Sequence, residues 1–260
     1  MPTPTNAAAF AALISLTGPA AAVGSIVDVQ VVDRATGQTL PIYRHQGRWR
    51  MAATPANRYA IALANRSGAR ELTVISVDGV NAVSGETAGW DQPGYVLERR
   101  QRARISGWRK TTSRVAAFEF VAVPQSYAAR TGRPDHVGVI GVAIFRERPR
   151  PLSVAPPARS NQSAADATPE APPAPRGESQ SGEARSLAKD ERLGTGHGRS
   201  ETSHVTYTEF ERARPTPDEI VTIHYDSHAH LVATGVIPAP RPQPNPFPGP
   251  RLGFVPDPPR

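Results

Sequence analysis

The chain has no cysteine. That absence removes a disulfide framework, a thiolate metal site and a cysteine nucleophile together. Lysine is nearly as scarce: Lys110 and Lys189 are the only two, so the formal net charge of +7 rests on arginine. An arginine-rich balance of this kind reflects a GC-rich coding bias. Its functional reading is attraction to anionic polymers or headgroups. No stretch approaches the roughly 18 continuous apolar residues that a spanning helix needs, so no transmembrane segment is expected. A G-x-S-x-G nucleophile elbow and a Walker-type phosphate loop are missing as well. No catalytic residues and no cofactor are assigned.

What is abundant is proline and glycine, 28 and 21 residues, and their distribution divides the chain. Residues 1–25 form a signal-like leader, with a small-residue apolar run from Ala7 to Leu16 and an A-x-A-like pattern at Ala20-Ala21-Ala22. Residues 26–148 form the main patterned block. Residues 149–192 are a linker rich in Pro, Ala, Ser and charge, too poor in apolar residues to repay ordering and so expected to be disordered. Residues 193–237 form a second block, too small to bury a core alone. Residues 238–260 are a proline-rich tail that favours extended, disordered conformations. The leader points to a periplasmic or secreted protein; if it stays uncut, the location is cytoplasmic.

The main block alternates apolar and polar residues. Val27-Val29-Val31, Leu40–His45, Arg48–Ala53, Arg58–Ala64, Glu71–Val77, Gly94–Leu97, Arg100–Ser106, Val115–Val123 and Val137–Phe145 read as short strands separated by turn signals. Among those signals, Asp78-Gly79 suits a type I′ turn. The fold class expected is all-β: an antiparallel β-sandwich or partly open barrel, with one or two short helices at Gln125–Arg130 and Ser227–Thr234. Trp90 and Trp108 are expected to fill the gaps left by Gly138 and Gly141. In the second block, His204–Phe210 and Glu219–Tyr225 read as two strands, which with the short helix dock on the sandwich as an annex. Leu193–Gly198 lacks the spacing of a nucleotide-binding loop and reads as a hinge.

Two constellations could carry function. Arg100, Arg102, Arg104, Arg109 and Lys110 lie in the densest basic cluster, with the first three on one face of a strand. This is either a solvated edge or a site for an anionic glycan, a lipid headgroup or a protein partner. Nucleic acid is disfavoured because no aromatics interleave for base stacking. His224, His228 and His230 are the candidate metal ligands, through an H-x-H pair that would have to be extended to converge. The leading reading is a non-enzymatic exported β-sandwich that binds at the envelope or within an assembly. The alternatives are a metal-assisted hydrolase using the late histidines and a binder of anionic polymers.

The segments RYAIALANRSGARELTVISVDGVNAVSGE (58–86), GYVL (94–97), GWRK (107–110), VAAFEF (115–120) and SYAARTGRPDHVGVIGVAIFRE (126–147) resemble a family of uncharacterised proteobacterial proteins. LGTGHGRSE (193–201) and YTEFERA (207–213) are similar to the C-terminal portion of that family. The resemblance implies no activity and transfers no functional residues.

Overall fold

The computed structural model describes residues 22–149 and 192–239. The leader, the linker and the proline-rich tail lie outside the described residues, apart from a few positions at their borders. Thirteen strands and two short helices occupy the described residues: β1 Val27–Asp33, β2 Ile42–His45, β3 Arg48–Ala53, β4 Arg58–Asn65, β5 Glu71–Val77, β6 Val80–Asn81, β7 Tyr95–Leu97, β8 Arg102–Ile105, β9 Gly107–Thr111, β10 Arg114–Ala122, α1 Tyr127–Arg130, β11 Val139–Arg146, β12 Leu193–Thr202, β13 Glu219–Ser227 and α2 His228–Ala233.

They form two sheets, and neither closes into a barrel. The first runs β1-β4-β10-β12, with β8 on β4 and β9 on β10; the second runs β2-β3-β13-β11-β5-β6, with β7 on β5. An all-β sandwich is therefore what the alternating pattern builds: odd and even side chains face opposite ways, so a strand with one apolar set must bury it against a second layer. Tyr59, Ile61, Phe118 and Phe120 of the first sheet meet Ile75, Val77, Ile140, Ile144 and Ile223 of the second in one core. Tyr59 stacks on Phe120 with ring centroids 4.2 Å apart. Burial of such side chains contributes roughly 1.5–3 kcal/mol each.

Several local expectations hold. Asp78 and Gly79 have φ of 53° and 72°, the pair of left-handed residues that a type I′ turn needs. Ser227 caps α2 by accepting from the His230 N–H at 3.1 Å, and Gly235, at φ 72°, follows its last turn.

Other expectations are corrected. Leu193–Gly198 is not a hinge but the start of β12, which pairs antiparallel with β10 from Leu193↔Ala122 onward. Its glycines serve close packing: a Cβ on Gly194 would lie 2.5 Å from Val137 Cγ1 and 2.6 Å from Ser126 Cβ. His204–Phe210 is not a strand but part of an extended strap, with backbone bonds near its start from Ser203 to Ser113 and from Val205 to Thr112. Trp90 is 53% exposed rather than packed. Trp108 is buried, but in the first sheet, edge-on to Phe118 at 4.8 Å.

The second block contributes a strand to each sheet. β13 lies inside the second sheet, antiparallel to β11 and parallel to β3 from Ile223↔Trp49 to Ser227↔Ala53. This is the one parallel pair among the described strands. A tight turn permits only antiparallel neighbours, whereas a long excursion lets the chain re-enter in either direction.

Candidate ligand-binding groove

β8 and β9 are nearly one continuous strand that changes partner at Ser106, pairing first with β4 and then with β10. The change is possible because residue 107 is glycine: a Cβ there would sit 2.0 Å from the Ala116 carbonyl oxygen. Past this crossover Trp108 is buried and Lys110 exposed, and a bulge at Lys110, where the register jumps from Arg109↔Val115 to Thr111↔Arg114, interrupts the alternation between them. Opposite them runs the strap of residues 203–212, which leads from β12 in one sheet towards β13 in the other. Between the strap, β7, β8 and β9 lies an open groove of about 1250 Å³, somewhat larger than typical small-molecule pockets.

The strap is held at both ends. Arg109 Nη1 donates to the Ser203 carbonyl at 2.5 Å and Nη2 to the Ser203 hydroxyl at 3.2 Å. At the far end Arg70 donates to Thr208 Oγ1 and to the Glu209 carbonyl, both at 3.0 Å. Arg70 also pairs with Glu98 at 3.1 Å and with Glu147 at 2.7 Å. Arg212 donates to the Gln92 carbonyl at 2.8 Å and lies 4.3 Å over the Phe145 ring. Between these anchors Tyr207 is 94% exposed.

Positive charge dominates the walls. Arg104, Arg109, Lys110 and Arg212 face Asp91, Glu98 and Glu211. Two of those carboxylates are committed elsewhere, Glu98 to Arg70 and Glu211 to Arg148. Among the described residues neither Arg104 nor Lys110 has a carboxylate partner, and Arg109 spends its bonds on neutral oxygens. Tyr95 Oη is buried, with the Arg109 guanidinium 5.8 Å from the ring centroid. Burial pushes its pKa up, and the Arg109 guanidinium beside it opposes the rise. Cations without carboxylate partners on one concave wall suit an anionic ligand.

Of the five basic residues singled out in the sequence, Arg104, Arg109 and Lys110 come together here. Arg102 is exposed on β8 but does not line the groove, and Arg100 is not on the strand: it sits in the preceding turn with φ 60°. The histidines are spread. His224 lies on β13, while His228 and His230 lie on α2, where residues two apart point different ways. His230 Nε2 faces Asp226 at 3.6 Å. Among the described residues no three or more His, Cys, Asp or Glu side chains gather as a metal ion would require.

A second polar constellation was not visible in the sequence. Asp78, Thr195 and Tyr59 are wholly buried and Tyr225 nearly so. Tyr225 Oη donates to Asp78 Oδ1 at 2.6 Å, the Thr195 N–H to Asp78 Oδ2 at 2.6 Å, and the Gly138 N–H to Oδ1 at 2.9 Å. Thr195 Oγ1 stands 2.7 Å from both Tyr59 Oη and Tyr225 Oη. Burial raises the Asp78 pKa to about 6 against these hydrogen bonds, which lower it. With its members enclosed between the sheets, this network joins the layers rather than meeting a substrate.

Comparison with protein-family models finds no match, and neither do the searches of curated proteins and of solved structures.

Proposed function

We propose that the protein is a non-enzymatic binding module whose groove takes an extended anionic ligand, an acidic glycan. The observation that carries this reading is that Arg104, Arg109 and Lys110 line one groove and that neither Arg104 nor Lys110 has a carboxylate partner among the described residues. Arginine and lysine supply charge-assisted bonds to carboxylate or sulfate groups. The hydroxyls of Thr111, Thr112, Thr206 and Thr208 along the same walls match the hydroxyls of a sugar, and the exposed Tyr207 ring offers an apolar face. The Ala-rich leader and A-x-A pattern support placing this activity at the cell envelope, alone or in an assembly.

Retention on immobilised heparin tests the reading. The double change Arg104→Glu/Lys110→Glu reverses two groove charges at exposed positions and should remove retention at low salt. A matched reversal outside the groove, Arg99→Glu/Arg102→Glu, should cost much less. Equal losses from the two pairs would show that net charge, not the groove, governs binding.

A further inference from the structure

On the outer face of the second sheet a smaller cavity, of about 170 Å³, has Arg50, His224 and Asp226 in its lining. Arg50 of β3 and His224 of β13 are register partners, so their side chains share that face, and Arg48 lies two residues before Arg50 on the same side. Arginine surrounds the imidazole. Burial lowers the His224 pKa, and Arg50 and Arg48 lower it further, leaving a neutral imidazole among guanidinium groups. Among the described residues Asp226 is the one carboxylate in the lining, and it is occupied: Oδ1 accepts from the Ser227 N–H at 2.7 Å and Oδ2 faces His230. Arg50 Nε is buried and hydrogen-bonds to no described residue.

From this we infer a second, separate binding site, in which Arg50 and His224 hold a small tetrahedral oxyanion of the phosphate or sulfate class. The volume is that of roughly five or six waters, room for one oxyanion and its hydration but well below the typical ligand pocket. Guanidinium donors match such oxygens in geometry and charge. The same arginines repel a divalent cation, so the surroundings of His224 select against the metal that its sequence neighbourhood suggests. This inference does not depend on the groove.

The test is a proton NMR titration of the intact protein with sodium phosphate at constant ionic strength, following the His224 ring. A saturable shift is expected, weakened about tenfold or more by Arg50→Gln and untouched by the groove change Arg104→Gln. If Arg50→Gln fails to fold, Arg48→Gln should still weaken the response severalfold. A His224 signal that ignores phosphate, or one that responds in the Arg50→Gln and Arg48→Gln variants as strongly as in the unaltered protein, overturns the site. So does a titration in which zinc chloride, and not phosphate, moves it.

Discussion

The backbone N–H of Thr195 donates to Asp78 Oδ2 at 2.6 Å, tying β12 of the first sheet to the turn that ends β5 in the second. Tyr225 reaches the other carboxylate oxygen, and the Thr195 hydroxyl joins Tyr225 to Tyr59. One carboxylate thus connects both strands of the late block to the main block. Buried polar groups of this kind stabilise only when every member is satisfied.

The network predicts an unusual pH dependence. Asp78 has a folded pKa of about 6, raised chiefly by burial above its ordinary 3.8, so the fold favours the protonated carboxyl. The associated stability is fully present below about pH 4, is lost as pH rises towards 6, and changes no further above that. The size is on the order of 3 kcal/mol. Asp33, Glu201 and Asp218 are shifted down and act in the opposite sense. The informative quantity is therefore the urea stability of the wild type minus that of Asp78→Asn across pH 4 to 7. A difference that stays flat contradicts the prediction.

Thr195→Val removes the hydroxyl between the two tyrosines at nearly constant volume. It should cost about 1–3 kcal/mol, because two buried phenols lose a shared partner. In a Tyr59→Phe background the same change should cost clearly less, since one of those phenols is already gone. Strict additivity in a double-mutant cycle of chemical denaturation would mean that the contacts are not coupled.

Arg70 is the clamp on the far end of the strap, and its ion pairs with Glu98 and Glu147 keep it in place. Arg70→Met keeps much of the apolar stem and removes the guanidinium. The amides that tie the strap's far end, Arg148 to the Glu211 carbonyl and Ala213 to the Arg146 carbonyl, should then exchange with deuterium about tenfold faster or more, while those of β4 and β10 are little changed. Uniform acceleration throughout the molecule would assign Arg70 to global stability instead.

Gly107→Ala tests the crossover that aims Arg109 and Lys110. The added methyl would collide with the Ala116 backbone, so the β9–β10 pairing must shift or break, at a cost of roughly 3 kcal/mol or more. Gly37 has open space around it but a φ of 73°, so Gly37→Ala should carry only the smaller backbone penalty of about 1–2 kcal/mol. Equal thermal midpoints for the two variants would contradict the packing argument.

What could be read from the sequence follows from the range of the interactions involved. β4, β5, the Asp78-Gly79 turn and the Ser227 cap are local: alternation, turn chemistry and a capping side chain act within a few residues. β12 was illegible because three of its first six positions are glycine, which erases alternation. The strap misled because Val205 and Tyr207 alternate as in a strand, yet little backbone partner is offered along it. The parallel insertion of β13 depends on pairing across more than 160 residues. The groove was half visible: Arg104, Arg109 and Lys110 are neighbours in the chain, but Tyr95 and Arg212 reach them only through folding. Likewise the partners of Asp78 lie 60 to 147 residues away, and no local pattern announces them.

Mapping the backbone amide shifts of the full chain during titration with a sulfated heparin oligosaccharide tests the groove most directly. Binding there should move Tyr95, Arg104, Lys110 and Thr206 together and saturably, with an affinity that falls as salt rises. Shifts that gather elsewhere on the surface, or none at all at low salt, would contradict the assignment of the groove as the binding site.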